Sequence, residues 1–355
     1  MPRSIDLAAW VEGVWYGDGV GARLGRAMLA PAAWGYLRVA RHRGERAAAA
    51  AAETAPAVPA LSIGNLTVGG TGKTPVASWA VSRLQAAGAH PAILLRGYGD
   101  DEWRVHQQLT PGVPVLTGAD RRASGRTAEA RGCDCVVMDD AFQHRQAPRV
   151  ADWVLVSADR WPAVARVLPQ GPFREPLAAL QRASAVVITI KAAGEGAVEV
   201  VRSAVRTVAP GVPVAVLHLR VDGVRHVGGH PPAPAGVPSL STLGPVLAVS
   251  AIGNPEAFER QLEAAGVVVH RRERFRDHHT FRDDEVDRLV QLGRGCDGVV
   301  CTLKDAVKLA PLWPATAVPL WYVSQTVQVV SGREVLDGDI ARLLAARRGP
   351  VPTAG

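Results

Sequence analysis

The chain has 355 residues, of which 48% are hydrophobic and 21% charged; this excludes a wholly disordered protein and allows one large domain or two ordinary ones. The formal charge of +7 favours an acidic partner, whether nucleic acid, an anionic membrane or a phosphorylated substrate, although an arginine-rich composition alone produces the same excess. Four cysteines, Cys133, Cys135, Cys296 and Cys301, form no Cys-x-x-Cys pair, which argues against a zinc site or a disulfide framework and fits a reducing compartment.

In chain order, Met1 to Gly17 lacks the basic start and apolar stretch of a cleavable signal peptide. Gly19 to Gly44 carries Arg23, Arg26, Arg38, Arg41 and Arg43 and no acidic residue. The uncharged stretch Ala27 to Leu37 between them is shorter than the roughly 20 residues that span a bilayer. Its Trp34 and Tyr36 suit a headgroup interface, so residues 1–45 read as a membrane-associating helix region. A helix packed on the protein's own core is the competing reading.

Arg46 to Ala60 is alanine-rich and then punctuated by Pro56 and Pro59, as expected of a helix end and a linker. From Ala57 to about Leu219, short apolar runs alternate with helical stretches: Ala57–Ile63, Ala92–Leu95, Val113–Leu116, Cys135–Met138, Val154–Val156, Val186–Ile190 and Val214–Leu217. That alternation predicts an α/β fold with a parallel sheet flanked by helices. Gly223 to Leu243 is rich in Gly and Pro and predicts a boundary, placing a first domain at 46–240. A second, smaller α/β unit over 241–325 is expected from the runs Val246–Ser250, Val267–Val269, Val299–Thr302 and Leu320–Val323. Residues 326–355 are left as a C-terminal segment ending in a loose tail.

The chemistry begins at Ser62-Ile-Gly-Asn-Leu-Thr-Val-Gly-Gly-Thr-Gly-Lys-Thr-Pro75. Gly69, Gly70 and Gly72 followed by Lys73 and Thr74 form the tail of a P-loop. Backbone N–H groups of such a loop cradle the β-phosphate, the lysine reaches the β- and γ-phosphates, and the hydroxyl takes Mg²⁺. The predicted strand before the loop and the helix predicted over Val76–Ala87 after it supply the context the motif needs. Thr67 stands where the eight-residue motif usually starts with Gly. The loop therefore predicts ATP or GTP binding.

Cys135-Val-Val-Met-Asp139-Asp140 is an apolar strand ending in two acids, the place where P-loop proteins hold Mg²⁺. Phe142-Gln-His-Arg145 follows directly. Arg96-Gly-Tyr-Gly99 and the acids Asp100, Asp101 and Glu102 lie after the second strand, where parallel sheets form their ligand crevice. A carboxylate there suits proton abstraction from a substrate hydroxyl; a solvated acidic turn is the plainer alternative. Gly171-Pro-Phe-Arg-Glu-Pro176 offers a cation and an acid, and Phe275-Arg-Asp-His-His279 an Asp-His pair in the second unit. Thr302-Leu-Lys-Asp-Ala-Val-Lys308 ends a strand and opens a helix.

Together these segments resemble the tetraacyldisaccharide 4'-kinase family of lipid A biosynthesis, from about residue 10 to 340. The resemblance is carried by Ile63–Pro75, Arg96–Gly99, Asp139-Asp-Ala-Phe-Gln-His144, Gly171–Pro176, Ile252-Gly-Asn-Pro255, Asp277-His278 and Thr302–Leu309. It implies transfer of the ATP γ-phosphate to the 4'-hydroxyl of a tetraacylated glucosamine disaccharide 1-phosphate, giving lipid IV-A. It also implies Mg²⁺, a peripheral or monotopic seat on the cytoplasmic face of a Gram-negative inner membrane, and no nucleic-acid partner.

By position, the resemblance assigns nucleotide binding to Thr67, Gly69, Gly70, Thr71, Gly72, Lys73 and Thr74. It assigns metal binding to Thr74, Asp139, Asp140 and Glu175, and catalysis to Lys73, Asp101 and His278. The family usually has Gly at Ala141, Ser at Leu95, Glu at Leu303 and Pro at Trp103, and a longer connection between Gly99 and Asp101. Asp100 therefore stays a rival to Asp101. Two other classes stand beside the lipid kinase. One is a switch GTPase or metallochaperone-like ATPase, against which the chain shows no Asn-Lys-x-Asp motif. The other is a kinase of a soluble acceptor, which should keep full activity without residues 1–44.

Overall fold

The computed structural model describes residues 7–52, 58–97, 101–227, 242–277 and 279–347. Asp100, Tyr98, Gly99, His278 and the tail beyond 347 lie outside the described residues. Two helices lead, α1 (Leu7–Tyr16) and α2 (Val20–Ala52). The chain then alternates strand and helix: β1 (Ala60–Asn65), α3 (Lys73–Ala86), β2 (Pro91–Leu95), α4 (Glu102–Leu109), β3 (Val115–Thr117), α5 (Arg121–Ala130), β4 (Cys135–Asp139), β5 (Ala151–Ser157), β6 (Ala185–Ile190), α6 (Glu195–Val208) and β7 (Val214–His226). A second series follows: β8 (Val246–Ser250), α7 (Pro255–Ala264), β9 (Val269–Arg274), α8 (Asp283–Leu292), β10 (Gly298–Cys301), α9 (Leu303–Leu309), β11 (Leu320–Ser331) and α10 (Arg333–Ala345).

The strands join in one sheet of order β3-β2-β4-β1-β5-β6-β7-β11-β10-β8-β9. Every neighbouring pair is parallel except β7 and β11, which run antiparallel as a long ribbon. Strands β1, β2 and β4 are buried along their whole length, as continuous apolar runs between two helical layers require. Helix starts are fixed locally: Asp120 accepts from the backbone N–H of Arg122 and Ala123, Asn254 caps α7 with Pro255 in its first turn, and Thr302 caps α9.

Several boundaries differ from those expected, β9 running Val269–Arg274 rather than Val267–Val269 among them, and three have a plain physical reason. Helix α3 starts at Lys73 rather than Val76, because a proline is tolerated in a helix's first turn. Strand β7 continues past Leu217 to His226, and β11 past Val323 to Ser331. Their outer halves alternate less and more exposed positions, so a search for continuous apolar runs stops too early. Val327 and Val329 lie against the core of the first lobe.

Beyond β11 the chain does not trail away. Leu336, Ile340 and Leu343 of α10 share one core with Leu61, Ile63, Val81 and Trp153. Asp339 accepts from the Trp153 indole at 2.8 Å and from the Ser184 hydroxyl at 2.6 Å. The second lobe (β8 to β10 with α7 to α9) has its own core around Leu247, Val249, Leu289, Val299 and Tyr322. Its sheet joins the first lobe through the β7–β11 ribbon, with β9 as the outer edge, and its helix α9 meets α4 of the first lobe.

Candidate active site

The P-loop leaves the end of β1 and enters α3. Gly69 and Gly72 have φ of 108° and 86°, values that side-chain-bearing residues rarely adopt, and a Cβ on Gly72 would lie 2.2 Å from Leu219 Cδ1. The buried Asn65 donates to Thr71 Oγ1 at 3.1 Å, and Thr189 at the end of β6 donates to the Thr71 carbonyl at 2.9 Å. The loop's far side is laced to the Gly171–Arg174 segment. Val68 N–H donates to Pro172 O at 2.9 Å, Arg174 N–H to Leu66 O at 2.6 Å, and Thr67 pairs with Phe173 as an isolated bridge. Of the residues assigned to nucleotide binding, Thr67 and Thr71 thus hold the loop's shape, while Lys73 Nζ reaches toward the acids of β4.

Asp139 and Asp140 end β4 with different surroundings. Asp140 has φ of 51°, the one positive value for a non-glycine among the described residues. A left-handed aspartate is uncommon and worth a functional explanation. Here the turn aims its carboxylate at Lys73 Nζ, 3.6 Å away, and at Arg174, whose Nη1 donates to both oxygens at 2.9 and 3.0 Å. Burial resists ionisation of Asp140, but Lys73 and Arg174 outweigh it and hold its pKa below the usual carboxylate range.

Asp139 is buried. Its Oδ2 accepts from His106 Nε2 at 2.9 Å, and its backbone carbonyl accepts from Arg121 at 3.2 Å. A carboxylate accepts only, so that imidazole nitrogen carries the proton. Burial lowers Arg121 to about 10, against the pull of Asp139 and Asp140, and it stays a cation at neutral pH. Neither His106 nor Arg121 was legible as a site residue from its sequence neighbourhood.

Asp101 precedes the first residue of α4 and is buried. Lys308 of α9 places its ammonium 3.1 Å from Asp101 Oδ2 and donates to His279 O at 3.2 Å. The first-lobe carboxylate and the Asp277–His279 loop of the second lobe are thus joined through one cation. His279 itself stacks on Phe275 and pairs with Glu285 at 2.8 Å, so its ring is committed to the second lobe. An open cavity of about 380 Å³ lies against this loop, lined by Arg276, Asp277, His279, Thr280 and Arg282. Next to Asp101, burial raises the pKa of Glu102, with Lys304 of α9 pulling the other way.

A magnesium ion would need hard oxygen donors, which the Thr74 hydroxyl and the Asp139 and Asp140 carboxylates are, both Asp140 oxygens here accepting from Arg174. Buried Asp139 Oδ1 has no hydrogen-bond partner, an orphan that a cation or its water would satisfy. No cluster of three His, Cys, Asp or Glu converges among the described residues. Magnesium bound with a nucleotide needs only one or two carboxylates, so the set fits. Glu175 is turned aside: it pairs with Arg182 at 3.0 Å, while its neighbour Arg174 reaches Asp140.

The N-terminal helices bear on this site directly. Tyr36 Oη on α2 donates to the Arg174 carbonyl at 2.9 Å. Trp15 donates to Pro169 O at 2.9 Å and Gln170 to Arg26 O at 3.0 Å. Removing residues 1–44 therefore strips a contact from the loop that holds Asp140, and loss of activity on truncation does not distinguish a lipid acceptor from a soluble one. The opposite face of α2 presents Val20, Leu24, Met28, Trp34 and Val39 to solvent, with Arg38 over the Trp34 ring at 4.3 Å. No helix among the described residues is long and apolar enough to cross a membrane.

The profile of the tetraacyldisaccharide-1-P 4'-kinase family (LpxK) matches residues 25–345. A tetraacyldisaccharide 4'-kinase of Halorhodospira halophila is 34% identical over 363 residues, covering 96% of this chain and 99% of its own. One from Anaeromyxobacter sp. (strain K) is 36% identical over 326 residues, covering 83% and 84%. Among solved structures, LpxK from Aquifex aeolicus, determined in complex with ATP, superposes with a TM-score of 0.67 at 22% identity over 90% of this chain and 99% of that one. The profile match over nearly the whole chain, with relatives of this similarity, makes the chain a member of the tetraacyldisaccharide-1-P 4'-kinase family.

Proposed function

We propose that this enzyme phosphorylates the 4'-hydroxyl of a tetraacylated glucosamine disaccharide 1-phosphate at the expense of ATP, the lipid A step for which its family is named. The observation that carries the reading is the cleft geometry. Lys73 and Asp140 stand at the P-loop, and Asp101 is presented from α4 and held by Lys308 of the second lobe. In this reading residues 46–240 form the kinase domain and 241–325 the smaller unit that completes the cleft.

The acceptor oxygen attacks the γ-phosphorus as the bond from that phosphorus to the β,γ-bridging oxygen breaks. The electron pair leaves with ADP, and the hydroxyl proton passes to Asp101, with His278 proposed to orient that carboxylate. Lys73 offsets negative charge on the transferring group, and the P-loop N–H groups fix the polyphosphate in line. Thr74, Asp139 and Asp140 would hold Mg²⁺, which supplies charge neutralisation when bound. Glu175 joins that set only if it leaves Arg182, as Asp140 does only by loosening its hold on Arg174.

The exposed stripe of α1 and α2 would lie on the cytoplasmic surface of the inner membrane, where an acylated acceptor resides. The test is transfer of labelled γ-phosphate from Mg-ATP to detergent-dispersed tetraacyldisaccharide 1-phosphate, with Asp101→Ala and Asp100→Ala beside the parent. Labelled lipid lost with Asp101→Ala alone supports both the reaction and the base. ATP hydrolysis without labelled lipid would move the protein to the switch-ATPase class.

A further inference from the structure

The segment Ile252-Gly-Asn-Pro255 carries part of the family resemblance but has no role in the chemistry proposed above. It joins β8 to α7, and its surroundings are specific. Just before it, Ala251 N–H donates to the buried Asp305 Oδ2 at 3.1 Å, and Asn254 caps α7. At the end of β8, Ser250 O accepts from Phe275 N–H at 2.8 Å, which ties in the loop that carries Asp277. Gly253 comes so close to that loop that a Cβ on it would lie 3.3 Å from Asp277 Oδ2. Its φ is not in the left-handed region. The missing side chain therefore makes room for Asp277 and does not serve the backbone conformation.

The first lobe reaches this segment through Arg160, which ends the short turn Ala158–Arg160 after β5. The turn is fixed, because Asp159 accepts from the backbone N–H groups of Lys191, Ala192 and Ala193 at 2.7 to 2.8 Å. From there the guanidinium forks. Its Nη1 donates to the Gly253 carbonyl at 3.5 Å, and its Nη2 donates to Glu12 Oε1 of α1 at 2.7 Å. Its Cζ also lies 4.8 Å from the centre of the Tyr16 ring. Helix α1 is a firm post for this contact: Arg26 of α2 donates to the Val14 and Gly17 carbonyls at 2.7 and 2.8 Å. One guanidinium thus touches the N-terminal helix and the second lobe from a fixed point on the first, a span that suits a planar fork of donors better than a single ammonium.

We infer that Arg160 is a positioning residue: by bridging Glu12 and the Gly253 carbonyl it seats the 252–255 segment, and through Gly253 it sets the place of Asp277, the residue before His278. Arg160 acts through that loop and not on the reacting atoms. The catalytic consequence rests on the kinase reading; the bridge itself does not.

The experiment compares Arg160→Gln, Glu12→Ala, Gly253→Ala and the double variant Arg160→Gln/Gly253→Ala with the parent. The single variants should melt within about 2 °C of the parent, because partly exposed ion pairs add little to global stability and alanine suits the Gly253 backbone. Hydrogen exchange without substrate is followed in peptides covering residues 11–17 and 251–258. Arg160→Gln should raise exchange about threefold in both, and Glu12→Ala should raise it in both to a smaller degree. With Mg-ATP and detergent-dispersed tetraacyldisaccharide 1-phosphate, kcat should fall about tenfold in Arg160→Gln and in Gly253→Ala while the KM for ATP stays within about twofold, the pattern of a displaced reacting geometry. The double variant should lose little more than either single one, since both act on the same loop. Unchanged exchange over 251–258 in Arg160→Gln, or a Glu12→Ala effect confined to 11–17, overturns the bridge. Additive losses in the double variant, or a kcat for Arg160→Gln equal to that of the parent, overturn the positioning role. Should the parent give no lipid product, the kinase reading falls, and the exchange measurement alone decides the bridge.

Discussion

Lys308 Nζ lies 3.1 Å from Asp101 Oδ2, and the same ammonium donates to the His279 carbonyl at 3.2 Å. Both side chains are largely shielded from water. One cation therefore sets the distance between the first-lobe carboxylate and the second-lobe loop that carries Asp277 and His278. Removing it leaves a buried carboxylate without its partner, a change that costs about 3–5 kcal/mol when the pair is fully buried. Lys308→Met should lower kcat by about 100-fold, with a smaller change in the KM for ATP, as expected of a residue acting on the reacting geometry. Lys308→Arg should recover part of the rate. In an Asp101→Ala background the Lys308→Met change should cost little more, because the pair acts as a unit. Additive losses in that double-mutant cycle would show that Lys308 acts independently of Asp101.

Tyr36 couples α2 to the site through a single hydroxyl. Its hydrogen bond to the Arg174 carbonyl helps fix the residue whose guanidinium holds Asp140. Tyr36→Phe removes that bond alone, about 1 kcal/mol of net interaction. A fall in kcat of roughly threefold to tenfold is expected, with unchanged flotation on anionic vesicles. Trp34→Ala should do the reverse: Trp34 is exposed, and its loss should weaken vesicle binding while detergent-dispersed turnover holds. If Tyr36→Phe turned over like the parent, the link from α2 to Asp140 would be without kinetic consequence.

His106 supplies a third case. It is buried beneath Asp139 and donates to its Oδ2, while His106 Nδ1 is without a partner. His106→Leu leaves that side of Asp139 unpaired in a buried setting, a penalty of about 1–3 kcal/mol. The variant should melt lower and should need more Mg²⁺ to reach half its maximal rate. His106→Gln, which retains an N–H donor, should restore part of both. A variant that melts lower with an unchanged Mg²⁺ requirement would reduce His106 to a packing role.

The local parts of this site were legible because their chemistry is sequential. Gly69 to Thr74 must be contiguous to curl around a phosphate, and Asp139-Asp140 must end a strand. The strand–helix alternation likewise predicted the parallel sheet. What escaped is non-local. Nothing near His106 in the chain signals that α4 lies over β4, and nothing near Tyr36 signals that α2 lies on the Gly171–Arg174 segment. The outer halves of β7 and β11 were missed because one of their faces is solvent-exposed, and α10 because its partners, Trp153 and Ser184, lie over 150 residues earlier.

Asp152 gives a prediction in pH. It is buried at the start of β5, and burial raises its pKa from 3.8 to about 6, only partly opposed by Arg149 at 3.1 Å. Between those two values the folded chain holds a proton that the unfolded chain has lost. Stability from this group therefore grows as pH falls from above 6 toward 4, and is lost as pH rises through 6. The full difference corresponds to about 3 kcal/mol. Asp152→Asn removes the titration, while Arg149 keeps the Ala141 and Ala147 carbonyls and the Ser62 hydroxyl as acceptors. Urea unfolding across pH 4.5 to 7.5 should show the variant gaining on the parent as pH rises, with other acids cancelling in the difference. A parent-minus-variant difference that is flat across the range would mean that Asp152 is ionised in the folded protein throughout, and that the Arg149 pair outweighs its burial.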